Sequence, residues 1–137
     1  MAGSKSNYLE NAILDGVLGG PAFALPTDVH IALSTAAYSD ASTGSSMTEV
    51  AGGGYARVAV TNNATNWPAA ASGSKSNGTV VSFPVASASW GTIISFYICD
   101  AATAGNVLYG GDLTVQRSVA AGDTASFAVG VLVVTED

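Results

Sequence analysis

At 137 residues the chain has the size of a single domain, long enough to bury roughly two-thirds of the surface its unfolded form exposes. Hydrophobic residues make up 48% of it and charged residues only 10%, against roughly 25% charged in an average soluble protein. The exterior must therefore be built from Ser, Thr, Asn, Gly and Ala, a skin that repels neighbours weakly and suits packing against other proteins.

The net charge is −6, and the four cations, Lys5, Arg57, Lys75 and Arg117, stand singly along the chain. Nucleic-acid binding through phosphate neutralisation needs clustered Lys and Arg and is not expected. The single cysteine, Cys99, lies in an apolar run and reads as a buried, inert thiol. Met1 to Asn7 is polar and the stretch that follows carries Glu10 and Asp15, so no secretion signal is read and synthesis in the cytoplasm is expected. No window reaches the roughly 18 uncharged apolar residues of a membrane span. Asn63-Ala64-Thr65 and Asn77-Gly78-Thr79 match the glycosylation pattern but read as loop residues.

In chain order, Asn7 with Glu10 three residues on resembles a capping box, and Leu9, Ala12, Ile13 and Val17 recur at helical spacing. Gly19-Gly20-Pro21 ends that helix. Its apolar stripe must dock on the body or on a neighbouring subunit. The apolar period then changes to two. Val29, Ile31 and Leu33 alternate with His30, Ala32 and Ser34 as in a strand with one buried face. Val58 and Val60 repeat the pattern, and Thr79 to Phe83 makes a third strand. Thr92 to Cys99 makes a fourth, with Ile94, Phe96 and Ile98 on one side and Ile93, Tyr97 and Cys99 on the other, so it is central or interfacial. Val107 to Tyr109 and Leu113 to Val115 read as short strands hinged at Gly110-Gly111. Ala125 to Thr135 reads as one long strand with Phe127, Val129, Val131 and Val133 on one face. Turn residues separate nearly all of these runs.

The expected fold is all-β, a jelly-roll-like β-sandwich with a short N-terminal α-helix: residues 1–20 as helix and arm, residues 21–137 as one sandwich domain. Ala36 to Gly54 and Asn62 to Gly78 are long, polar and nearly uncharged, and read either as contact arms that a partner would order or as mobile surface loops.

Catalytic chemistry finds no footing. His30 is the only histidine and sits on a strand. No Gly-x-Ser-x-Gly turn supports a nucleophile, and Ser72-Gly73-Ser74-Lys75-Ser76 lacks the context of a phosphate loop and reads as linker. Asp100, Asp112 and Asp123 stand in turns, where a short acid bonds the backbone. No cofactor, metal or enzymatic activity is expected. Trp90 reads as core. Trp67, beside Pro68 in a long loop, reads as a contact residue, and Trp67 and Trp90 with Tyr55, Tyr97 and Tyr109 suggest an alternative sugar-stacking surface. Tyr55 and Arg57, delivered by the Gly52-Gly53-Gly54 reversal, together with Trp67, Tyr97 and Arg117, are the candidate protein-contact residues.

The motif order is also informative. Tyr8-Leu9-Glu10-Asn11 opens the helix, Ile31-Ala32-Leu33-Ser34-Thr35 follows, and Glu49-Val50 precedes Gly52-Gly53-Gly54-Tyr55-Ala56-Arg57. Ser89-Trp90-Gly91-Thr92-Ile93 leads to Asp100-Ala101, then Gly105-Asn106-Val107-Leu108-Tyr109 and the Ala121-Gly122-Asp123 turn. This succession resembles a family of small tailed-bacteriophage virion proteins, whose members are often labelled tail-fibre proteins and which are similar in size and type to jelly-roll cement proteins of phage heads. The resemblance implies a component of the virion. Its leading implication is a capsid decoration protein that clamps the major capsid protein as a dimer or trimer; the alternative is a tail-fibre or receptor-binding module that contacts host glycan. It implies no catalytic residue.

Overall fold

The computed structural model describes residues 2–136. They form an all-β fold with one short helix, in the order β1 (Ser4–Lys5), α1 (Asn7–Val17), β2 (Asp28–Ser34), β3 (Val58–Thr61), β4 (Ser74–Ser76), β5 (Val81–Ser82), β6 (Gly91–Cys99), β7 (Val107–Val119), β8 (Ser126–Phe127) and β9 (Val133–Thr135). One antiparallel sheet carries five strands in the order β1-β7-β6-β2-β3, and two ribbons, β4-β9 and β5-β8, form the second layer in place of a full second sheet. Sheet and ribbons close over one core in which Ile31, Leu33, Phe96, Val81, Phe127 and Leu132 meet.

The alternation in β2 does what period two requires. Val29, Ile31 and Leu33 enter this core, while Ala32 faces the other way into a smaller cluster with Met47, Tyr97, Cys99 and Val107. The sheet is thus covered on both faces, the second by the loop that carries Met47. The central position of β6, between β7 and β2, explains its apolar character on both sides. Its two faces differ from the strict alternation expected. A register shift between Ile93 and Ser95 inserts a bulge, and a bulge reverses the inward parity of a strand. Ile93 therefore joins the same core as Phe96 and Ile98.

The helix starts one residue earlier than its sequence signal. Ser6, not Asn7, is the N-cap: its Oγ accepts the Leu9 N–H at 3.2 Å and itself donates to the Val107 carbonyl. One hydroxyl so caps α1 and ties it to β7. Leu9 and Ile13 turn toward the sheet.

Three further segments depart from the sequence reading. β7 runs unbroken through Gly110-Gly111. Those glycines mark close approaches instead of a hinge, since a Cβ on Gly110 would lie 2.3 Å from the Tyr38 ring. The run Ala125 to Thr135 is divided into β8 and β9 by a turn at Gly130, whose φ is +77. Val129 and Val131 are consequently exposed, and Leu132 and Val134 are buried in their stead. Ser72 to Ser76 is not a linker: Ser74–Ser76 pairs with β9 over Thr135, Val134 and Val133.

Asn77 fixes the C-terminal turn. It is fully buried, its Nδ2 donates to the Thr79 and Ala128 carbonyls at 2.8 and 3.0 Å, and its Oδ1 accepts the Leu132 N–H at 2.9 Å. A side chain so enclosed is no glycan acceptor in the folded chain. Asn77→Leu leaves these buried backbone groups unpaired and is expected to cost about 3 kcal/mol, lowering the melting temperature by about 10 °C. Differential scanning calorimetry reads this directly, and a change within 1 °C would refute the role given to Asn77.

Candidate contact surfaces

Arg57, just before β3, uses all five of its N–H donors inside the chain. Nε and one terminal nitrogen grip the Glu49 carboxylate in a two-pronged pair, each at 2.8 Å. The remaining hydrogens go to backbone carbonyls: Ala101 at 2.8 Å, Ala104 at 3.0 Å and Gly44 at 3.0 Å. The side chain is 2% exposed. Burial opposes its charge, but the Glu49 hydrogen bonds outweigh that and hold its pKa above the ordinary value. Tyr55 completes the cluster. Its hydroxyl donates to Glu49 Oε2 at 2.7 Å and accepts the Leu33 N–H at 3.0 Å, while its ring stands edge-on to Trp90, 5.3 Å between centroids. Gly44 is required where this loop meets the next, since a Cβ there would lie 1.8 Å from the Ala104 carbonyl oxygen.

Of the five residues expected to meet partners, four are therefore spent within the subunit. Arg57 and Tyr55 hold loops to the sheet. Tyr97 is 1% exposed and packs against Tyr38 at 5.2 Å, with its hydroxyl accepting the Ser39 N–H. Trp67 is 7% exposed and belongs to the main core, because its loop turns inward over a bonded turn in which Asn63 Oδ1 accepts the Thr65 and Asn66 N–H groups. Trp90, also buried, donates Nε1 to the Gly53 carbonyl at 2.8 Å. These placements take Trp67, Trp90 and Tyr97 off the surface and leave Tyr55 and Tyr109 partly exposed. Of the five candidate contact residues, only Arg117, on β7, lies exposed, and its side chain makes no hydrogen bond or ion pair among the described residues.

The long loops are likewise tied down. Tyr38 N–H reaches Asp112 Oδ1 at 2.7 Å, Gly44 N–H reaches Gly105, and Thr35 and Val50 bond back across the loop base. Asp100 and Asp123 bond nearby backbone, as turn acids do: Asp100 Oδ1 accepts the Asn106 N–H and Asp123 Oδ2 the Ala120 N–H. His30 sits half-buried in β2, in register with Ala59 and Cys99. No group of three or more His, Cys, Asp or Glu among the described residues is arranged to hold a metal ion, and no helix is long and apolar enough to cross a membrane.

What the surface does offer is apolar relief. A groove of about 630 Å³ opens between the outer half of β7 and the chain around β8, lined by Leu113, Val115, Arg117 and Val131. A second, of about 530 Å³, runs beside α1, lined by Ile13, Phe23, Leu25, Trp67, Leu108 and Val134, with Lys75 also on its wall. Next to it, Leu14, Val17 and Leu18 project from the last turns of α1 into solvent. The helix thus has apolar residues on two sides: of the stripe read from the sequence, Leu9 and Ile13 face the body, whereas Val17 lies exposed with Leu14 and Leu18.

The family described as podophage GP4 fiber I protein gp80, or Gp80, matches residues 4–135. The chain belongs to this family. The match begins on the first residue of β1 and ends on the last of β9, so the whole sheet-and-ribbon framework is a Gp80 domain. No curated protein matches it. The resemblance to small tailed-phage virion proteins is thereby borne out, and the chain is a structural protein of that class.

Burial sets the alkaline limit of the Gp80 domain. It pushes the Cys99 thiol up to about 12. Burial and the Glu136 acceptor push the Tyr109 phenol up to about 12. Tyr38 and Tyr55 are raised as well, chiefly by burial. In the unfolded chain such groups ionise near 8.5 for Cys and 10 for Tyr. As pH rises the unfolded state loses protons first, so stability is intact below about pH 8.5 and falls progressively toward pH 12. The urea midpoint is expected to drop between pH 8 and 11, with Cys99→Ala removing the earliest part of the fall; a flat midpoint over that range would contradict it.

Proposed function

We propose that this chain is a structural module of a fibre on the phage particle, a segment or seat of the appendage, without catalytic activity. The observation that carries this reading is the family match from β1 to β9 to a protein described as a fibre component. It weighs toward the fibre alternative and away from the head-decoration role that the sequence first suggested. Burial of Trp67, Trp90 and Tyr97 supports a building part over a glycan-gripping tip, because stacking on a sugar needs an open aromatic face. The partners are then other fibre or attachment proteins of the virion, in place of the major capsid protein. A surface with so few charges, repeated on neighbouring copies, suits assembly in which many modest contacts act together.

Quantitative mass spectrometry of purified particles, with antibody labelling seen by electron microscopy, tests the reading. A few tens of copies per particle, with label at the appendages, are expected. Hundreds of copies spread over the shell would overturn it and restore the cement role.

A further inference from the structure

We propose that α1 and the groove beside it form a two-fold interface between two copies of this chain, with the helix ridge of each copy seated in the groove of the other. The ridge is Leu14, Val17 and Leu18, of which Leu18 is 75% exposed; Leu25, on the groove lip, is 78% exposed. Nothing among the described residues covers them. From Gly16 to Pro26 there is no polar side chain, so this strip has no means of holding water except through its backbone.

A second copy is the occupant for three reasons. An isologous interface uses one patch twice, so the patch must hold both the projection and the recess that receives it. Here they are adjacent: Ile13 lines the groove, and Val17, one turn further along the same side of α1, stands on the ridge. Charge also matches. Asp15 flanks the ridge and Lys75 lies on the groove wall, and neither makes an ion pair within the described residues. A two-fold axis brings the Asp15 of each copy toward the Lys75 of the other. Glu136, also on that wall, is already taken by Lys5 and the Tyr109 hydroxyl. The area reaches the lower bound too. The exposed side chains offer roughly 400 Å² of apolar surface, as large as the main patch on most monomers, and ridge with groove wall comes to roughly 500 Å² per partner, about the 1,000 Å² in total that a specific interface needs.

This interface is read on the isolated protein and does not depend on where in the particle the chain resides. Size-exclusion chromatography with light scattering at about 50 μM should give twice the chain mass. Leu14→Glu with Leu18→Glu, both exposed and so harmless to the fold by circular dichroism, should give the chain mass; Leu25→Glu is the independent second variant. Lys75→Asp and Asp15→Lys should each weaken the dimer at least tenfold, and the two together should restore it. A monomeric or trimeric wild type, a dimer indifferent to the ridge variants, or a charge swap that fails to restore pairing would each overturn the proposal.

Discussion

The fold hangs on one buried guanidinium. Sheets place strands, but they do not by themselves hold long polar connections against a surface, because a loop gains little from burial and loses its freedom. In this chain two such connections, Ala36 to Gly54 and Asp100 to Asn106, converge on the end of β3, and Arg57 donates to a carbonyl or carboxylate in both. Its planar fork meets the Glu49 carboxylate edge to edge, a geometry that lysine cannot reproduce. The pair is retained because each partner is fully hydrogen-bonded; deprived of either, the other would be a buried charge without compensation, at a cost of about 3 kcal/mol or more. Tyr55 then carries the tie into the core, from Glu49 to the Leu33 N–H of β2 and to the face of Trp90.

What could be read in the sequence, and what could not, follows from the range over which each feature is determined. The helix and its stop, the alternation of β2, and the enclosure of Cys99 and Trp90 are local or depend only on polarity, and the residues state them. β4 was invisible because Ser74, Lys75 and Ser76 carry no apolar signal; only pairing with β9, nearly sixty residues away, makes them a strand. The bulge in β6 and the turn at Gly130 each break an alternation that the residues alone would continue. Arg57 and Tyr55 were picked out as residues of the kinds that favour interfaces, and they do make dense contacts. Those contacts are to Gly44, Ala101 and Ala104, positions that share nothing in sequence with Arg57 and meet it only through topology. Aromatic and arginine side chains mark places where much energy is concentrated, whether the interface lies between proteins or between a loop and its own sheet.

With Trp67, Trp90 and Tyr97 turned inward, most of the surface is left to small polar residues and a few aliphatic strips. That is a suitable exterior for a part in a repeated assembly. Small hydroxyl and glycine surfaces approach one another closely and lose little side-chain entropy on contact, while the exposed apolar strips along α1 and β7 supply the drive.

The most direct measurement is a double-mutant cycle on Glu49 and Arg57, with chemical unfolding for stability and hydrogen exchange for the loops. Glu49→Gln and Arg57→Gln are each predicted to cost about 3 kcal/mol, with a coupling of at least 1.5 kcal/mol between them and selective loss of amide protection at Gly44, Val50 and Asn106. Additive small effects, or loop protection that survives loss of Arg57, would contradict the claim that this guanidinium holds the loops to the sheet.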